Sequence, residues 1–240
     1  MKFKVIITAA GDDDSNFSNS IYSCPKNLAP FRNSNIINSV LANYSKYNCE
    51  VILIILEEED SKWSTSKVVL NQHPNVKIIK LRNKTNGAML TSLFASDLID
   101  EDDIVIVASG DAFIEEDLES PLNLFQDEKV SSVIVTFNDI NPRWSYLITN
   151  ESQEVIDIAE KETVSEIATT GIFMFRNINL LIDSVFTSLE ARFNKNDEFY
   201  MSSAIASLLS QGLTVQEYRL ASKKQYIYLS RPSDLIEHTS

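Results

Sequence analysis

The run Asp103-Ile104-Val105-Ile106-Val107-Ala108-Ser109-Gly110-Asp111 decides how this chain is read. Five apolar residues, most of them β-branched, stop abruptly at a glycine and then present a carboxylate. An unbroken apolar run of that length predicts a strand buried on both faces, as in a parallel sheet covered by helices. In an open α/β sheet, ligands bind just outside the carboxyl ends of such strands. Asp111 therefore falls where a metal-bound phosphate can meet it, although the same acid could simply solvate a turn.

Working outward, the first half alternates strand and helix patterns. Phe3 to Ala9 and Val51 to Leu56 are apolar strands, and Asn75 to Leu81 alternates as a third. Asn35 to Tyr47 carries Ile36, Ile37, Val40, Leu41 and Tyr44 at helical spacing. Ser61 to Asn71 reads as a helix capped by Ser61, and Gly87 to Ile99 as another. The acidic run Glu57-Glu58-Glu59-Asp60 reads as a solvated loop leading into that cap. Repeated β-α-β units predict a parallel sheet with helices on both faces.

The second half changes character. Val133 to Phe137, Ser145 to Thr149, Val155 to Ala159 and Gly171 to Phe175 are strands without helices between them. Asn150-Glu151-Ser152 makes a turn. Ile178 to Phe193 and Phe199 to Leu209 are helices, and Gly212 stops the second in a left-handed conformation. Val215 to Leu220 and Tyr226 to Leu229 complete the strands. The expected architecture is a Rossmann-like, three-layer α/β/α domain over 1–240. Its mixed, mainly parallel sheet divides into a nucleotide-type half (1–125) and a more antiparallel half (126–240).

Charge narrows the function. The 240 residues carry a formal charge of −13, which argues against binding nucleic acid or an anionic membrane surface through Lys and Arg. An anionic small molecule then needs a locally basic pocket, so single lysines matter. The run Lys4 to Ala10 is too short to span a membrane and lacks a signal-peptide layout. Cys24 and Cys49 have no metal or redox spacing, and a reduced cytoplasmic protein is expected. His73 and His238 sit with no carboxylate or nucleophile and are expected at the surface.

Several short motifs could carry chemistry, and each has an ordinary alternative. Ala9-Ala10-Gly11 is a small-residue turn after the first strand, which lets backbone N–H groups face a phosphate. Lys26, its approach fixed by Pro25, could return there as a positive charge; alone it is a surface lysine after a turn. Asn86 offers donor and acceptor groups suited to a base edge, and Gly87 permits close backbone approach before Ala88; the same residues also suit a helix cap. Glu160-Lys161 closes a strand, where it could hold hydroxyls and a phosphate or be an exposed charge pair.

Taken in order, these motifs resemble the sugar-phosphate nucleotidyltransferase family, whose fold is GT-A-like. The family's small-residue-Gly loop followed by Pro-Lys-x-Leu is matched by Ala10-Gly11 and Pro25-Lys26-Asn27-Leu28. Its Gly-Ala at a helix start is matched by Gly87-Ala88, its Gly-Asp by Gly110-Asp111, and its Glu-Lys by Glu160-Lys161. Thr170-Gly171-Ile172-Phe173 matches its Thr-Gly and aromatic strand. The second half is most similar to a bacterial branch associated with capsular and surface polysaccharides. That likeness rests on Pro142-Arg143-Trp144-Ser145-Tyr146, Ala168 to Phe175, Asp197-Glu198-Phe199-Tyr200 and Arg231-Pro232-Ser233-Asp234-Leu235.

The resemblance implies transfer of a nucleotidyl group from an NTP, CTP or UTP being favoured, to a sugar 1-phosphate or other small phosphomonoester. Pyrophosphate leaves with Mg²⁺. It implies Lys26, Asp111 and Lys161 as catalytic residues, with Asp111 on Mg²⁺. Ala9, Ala10, Gly11, Lys26, Asn86, Gly87, Ala88 and Gly110 bind the nucleotide. Tyr146, Glu160, Lys161, Thr170, Gly171 and Glu198 hold the acceptor, and a homodimer is a further expectation.

Two departures from the family pattern keep other readings open. Asp12-Asp13-Asp14 and Asn16 replace a glycine and an arginine that serve the triphosphate. Tyr228 stands where many relatives have a second metal aspartate, with Asp197 or Glu198 as candidate substitutes. A weakened relative that binds nucleotide as a regulatory or scaffold protein is one alternative. A GT-A glycosyltransferase is another, but Asp111-Ala112-Phe113 lacks the paired Asp-x-Asp that it would use.

Overall fold

The computed structural model describes residues 1–11, 17, 19–192 and 198–238. The Asp12–Asp14 loop, Asn16, Phe193 and Asp197 lie outside them. In the first half, β1 (Phe3–Thr8) is followed by a hairpin of β2 (Pro30–Phe31) and β3 (Ser34–Asn35), then α1 (Ile36–Ser45) and β4 (Glu50–Leu56). Next come α2 (Glu57–Trp63), α3 (Thr65–Gln72), β5 (Lys77–Leu81) and α4 (Ala88–Ser92), which continues as a 3₁₀ turn over Leu93–Leu98. The opening stretch forms β6 (Ile104–Ser109), followed by β7 (Ala112–Ile114) and α5 (Glu119–Asn123). Beyond it lie β8 (Val130–Asn138), β9 (Ser145–Thr149), β10 (Val155–Glu160), β11 (Ile167–Phe175), α6 (Ile178–Ala191) and α7 (Met201–Ser210). The chain closes with β12 (Thr214–Arg219), β13 (Tyr226–Tyr228) and α8 (Pro232–Glu237).

Nine strands form one mixed sheet that draws on both sides of residue 125. Its order is β10-β9-β11-β6-β1-β4-β5, with β8 beside β11 and β12 beside β8. The pairs β6–β1, β1–β4 and β4–β5 are parallel, whereas β11 runs antiparallel to β6 and β8. The sheet is covered on both faces, as the apolar run requires. Ile104, Ile106 and Ala108 join Val5, Ile7 and the apolar side of α1 in one core. Val105 and Val107 join Ile6, α6 and α7 in the other. Alternation along a strand sends neighbouring side chains to opposite faces, so β1 and β6 each feed both cores.

Three expectations need correction. The acidic run Glu57–Asp60 is the first turn of α2, and Ser61 lies inside that helix rather than capping it. Carboxylates suit a helix N-terminus because they oppose the positive end of its dipole. The helical segment then breaks at Ser64, whose φ of 55° starts a separate α3. Phe199 also stands outside its predicted helix, which begins at Met201. His73 is half-buried at the end of α3, and burial lowers its pKa.

At its N-terminal end the sheet is pinned by charge. The Lys4 ammonium, nearly buried, lies 3.2 Å from Asp100, 3.4 Å from Glu50 and 3.5 Å from the buried Asp103. At the other end Gly110 lets β6 close on β1. A Cβ there would lie 2.6 Å from the Ala9 Cβ, and the Gly110 N–H donates to the Thr8 carbonyl at 3.1 Å. No described helix is long and apolar enough to cross a membrane.

Candidate active site

A cleft of about 410 Å³ opens at the carboxyl ends of β1 and β6. Every residue expected on the nucleotide side lines it: Ala9, Ala10, Gly11, Lys26, Asn86, Gly87, Ala88, Gly110 and Asp111. They arrive from four separated segments because parallel strands end on one edge and their following loops meet above it. Glu198, expected with the acceptor, also lines this cleft. Among the described residues, a Cβ at Gly11 would meet nothing within 4 Å.

Asp111 forms the charged floor. Its carboxylate is almost fully buried and accepts from the Lys26 ammonium at 2.7 Å and from the Ser109 hydroxyl. Burial alone would raise its pKa. The charge of Lys26 and hydrogen bonds from Lys26, Ser109 and Ser230 outweigh burial and hold the carboxyl below its ordinary value. The short β7–β13 ladder pairs Ala112 with Tyr228, and Leu229 N–H donates to the Asp111 carbonyl at 2.8 Å. Tyr228 therefore does sit beside Asp111, and burial together with that negative charge pushes its phenol up to about 12. It is a neutral neighbour at ordinary pH.

The opposite wall is built by backbone. Phe199 N–H donates to the Asn86 carbonyl at 2.7 Å, and Met89 N–H donates to the Phe199 carbonyl at 3.4 Å. Gly87 has φ 116° and ψ 162°, a region essentially confined to glycine. The 198–200 segment presses directly on it, and there is no room for a side chain.

The other residues expected with the acceptor lie outside the cleft lining. The Glu160 carboxylate accepts from Ser145 at 2.5 Å and Ser202 at 2.7 Å. Lys161, in a left-handed conformation with φ 51°, donates its ammonium to the Tyr200 hydroxyl at 2.6 Å. The Tyr200 hydroxyl in turn donates to Glu198. Gly171 has φ 79° within an irregular stretch of β11, and a Cβ there would lie 3.8 Å from the Ser109 Cβ, so it adjoins the floor. Tyr146 and Thr170 are fully buried, and their hydroxyls donate to the backbone carbonyls of Asn141 and Val135. Neither side chain lines the cleft.

Sequence reasoning missed Asn27, Glu59, Ser109 and the Lys84–Thr85 turn, all of which line the cleft. Asn27 donates to the Ala9 carbonyl at 3.1 Å and to Glu59, holding the first loop in place. The only available signal was position: Asn27 follows Lys26, and Ser109 precedes Gly110. No group of three or more His, Cys, Asp or Glu side chains among the described residues converges to hold an ion. One buried carboxylate facing a phosphate-sized cleft still fits Mg²⁺, which commonly takes one or two carboxylates and completes its shell with phosphate and water oxygens. Asp111 is the residue that would hold it, and the ion would neutralise phosphate charge.

The fold has close structural relatives at low identity. A nucleoside-diphosphate-sugar pyrophosphorylase from Vibrio cholerae RC9 superposes with a TM-score of 0.82 at 17% identity, over 98% of each chain. An inositol-1-phosphate CTP transferase from T. maritima gives 0.73 at 16%, over 97% of this chain and 91% of that one. A UDP-glucose pyrophosphorylase solved with UDP-glucose gives 0.73 at 19%, over 99% and 97%. No curated protein matches the chain by sequence. The nucleotidyl transferase family profile matches residues 21–218, and the chain belongs to that family.

Proposed function

We propose that the protein transfers a nucleoside monophosphate from an NTP to a sugar 1-phosphate or another small phosphomonoester, releasing pyrophosphate. The observation that carries this reading is the convergence of Lys26, Asp111, the Ala9–Gly11 turn and the Asn86–Ala88 helix start on one cleft. The acceptor oxygen attacks the α-phosphorus in line, a reaction that needs positioning and charge neutralisation more than proton transfer. Lys26 takes charge from the triphosphate, the Ala9–Gly11 and Gly110 backbone approaches it, and Asn86 with Gly87 and Ala88 meets the base. Lys161 receives the acceptor phosphate, while Glu160, Gly171 and Glu198 orient the rest. Asp111 is the Mg²⁺ ligand. A pyrimidine nucleotide, a cytoplasmic setting, a homodimer and supply of an activated precursor for a bacterial surface polysaccharide complete the proposal.

The test is direct. The protein is incubated with each NTP, Mg²⁺ and a panel containing glucose 1-phosphate, inositol 1-phosphate and simple alkyl phosphates, and pyrophosphate is measured. Release by wild type and a loss of about 10²-fold or more in Asp111→Asn is the expected result. No release with any pair sinks the reading. A second reading, nucleotide binding without turnover, draws support from the neutral Tyr228 beside Asp111. It predicts NTP binding by calorimetry with no release of pyrophosphate.

A further inference from the structure

Residues 198–202 connect the cleft to the acceptor pair. Glu198 lines the cleft, the Phe199 backbone is bonded to Asn86 and Met89, Tyr200 holds the Lys161 ammonium, and Ser202 holds the Glu160 carboxylate. The anchor is firm on both sides. Tyr200 precedes α7, its carbonyl accepts from Ser203 N–H at 3.0 Å, and the buried Met201 roots the helix in the core. Lys161 is held in turn through its backbone N–H, which donates to the Trp144 carbonyl at 3.0 Å.

From this placement we infer that Tyr200 is a positioning residue for Lys161, fixing the ammonium so that it receives an anionic phosphate. The inference rests on the proposed acceptor role of Lys161 and adds the residue that aims it. Geometry supports it in three ways. A lysine head on four rotatable carbons has wide freedom, and the left-handed backbone at Lys161 sets only its first bond. The Tyr200 hydroxyl, 2.6 Å from Nζ, fixes the other end, and the ammonium also lies 4.4 Å from the centre of the Tyr200 ring. The holder is a neutral hydroxyl, so it brings no negative charge to offset the ammonium, and two of the three N–H donors remain for a phosphate.

Glu198 completes the device. By accepting the Tyr200 proton it polarises the hydroxyl and makes its oxygen a better acceptor for Lys161. Burial, followed by the hydrogen bond to Glu198 and the charges of Glu198 and Glu160, raises the phenol pKa, which keeps the Tyr200 proton in place at ordinary pH. An ion pair between Lys161 and a carboxylate would instead cancel the charge that the acceptor phosphate needs.

The test uses inorganic phosphate as probe, titrated by calorimetry into the full chain as wild type, Tyr200→Phe, Lys161→Ala and the double variant. Removing one hydroxyl from a half-buried ring leaves the fold intact. Tyr200→Phe is expected to weaken the Lys161-dependent phosphate binding about tenfold, the scale of a lost charge-assisted hydrogen bond. It adds nothing further in the Lys161→Ala background. In turnover with glucose 1-phosphate, the same variant raises the KM for the phosphomonoester while kcat and the KM for NTP stay within about twofold. Three results overturn the inference: Tyr200→Phe binding phosphate as wild type does, an equal loss persisting without Lys161, or wild type and Lys161→Ala binding phosphate alike. Absence of pyrophosphate release with every NTP and phosphomonoester pair defeats the proposed function instead, and the phosphate titration still decides the role of Tyr200.

Discussion

Gly87→Ala tests the most tightly built wall of the cleft. The native φ of 116° with ψ 162° is open to glycine but strained for alanine, at a cost of about 1–3 kcal/mol. The added Cβ would lie 2.7 Å from the Phe199 carbonyl carbon, 3.0 Å from its nitrogen, and closer still to its oxygen. The Phe199 backbone must retreat by roughly 1 Å to reach an ordinary contact. That movement breaks or stretches the bonds from Phe199 N–H to Asn86 and from Met89 N–H to Phe199, each contributing about 1 kcal/mol. Partial relaxation lets strain and broken bonds trade against each other, so the expected destabilisation is about 2–4 kcal/mol. For a chain of this size it appears as a fall in Tm of about 5–15 °C. Differential scanning calorimetry measures it, and urea titration at constant m confirms that stability rather than compactness has changed. A variant that melts within about 1 °C of wild type refutes the packing of the 198–200 segment on Gly87.

Gly11→Ala is the counterpart, because a Cβ there meets nothing among the described residues and Gly11 has no positive φ. Its Tm is expected to hold or rise slightly, by up to about 1 kcal/mol of stability, while calorimetric NTP affinity falls because the methyl group enters the cleft. Acid unfolding should involve Asp100, whose carboxyl is lowered to about 2 by hydrogen bonds from Lys2 and Lys4. A folded-state pKa below the unfolded one contributes stability above pH 4 that is lost as pH falls towards 2. Asp100→Asn should flatten the fall in Tm across that window, and added NaCl should shrink the difference, since Asp100 is exposed. Lys4→Met removes the cation facing the buried Asp103, and Lys2 alone, exposed at 3.2 Å, cannot replace it. A loss of about 2–3 kcal/mol by urea titration is expected, below that of a fully buried pair because Asp100 and Glu50 reach solvent; a neutral result contradicts the pin.

The central strand and the loops that line the cleft were legible because their chemistry is local. An apolar run buried on both faces has one stable home, and the small-residue turns at Gly11, Gly87 and Gly110 follow strands whose ends share one edge. Elements whose stability comes from elsewhere were not legible. Helix α2 buries no residue, so it has no apolar periodicity, and its acids look like a loop until the helix dipole is considered. Phe199 carries a helical pattern but is drawn out of the helix by its bonds to Asn86 and Met89, partners more than a hundred positions away in sequence. Tyr146 and Thr170 were expected with the acceptor, yet their hydroxyls are committed to backbone. Which way a strand residue points depends on pairing partners that its own sequence does not name.

The floor of the cleft bears on what kind of chemistry this chain can support. Two carboxylates side by side would repel, and one would have its pKa raised. Here the position beside Asp111 is held by Tyr228, a phenol kept neutral by burial and by the Asp111 charge. Asp111 is balanced by Lys26 at 2.7 Å and stays ionised well below neutral pH. Neither group changes protonation across the neutral range, so neither can serve there as a general acid or base whose pKa must lie near the working pH. What they offer is fixed charge and fixed dipoles in a buried setting, where such groups act most strongly on phosphates. A preassembled Lys26–Asp111 pair also keeps an acidic chain from presenting a bare negative floor to a triphosphate. An anion that enters meets a lysine already in place, and the shift of that lysine from carboxylate to phosphate requires no proton transfer.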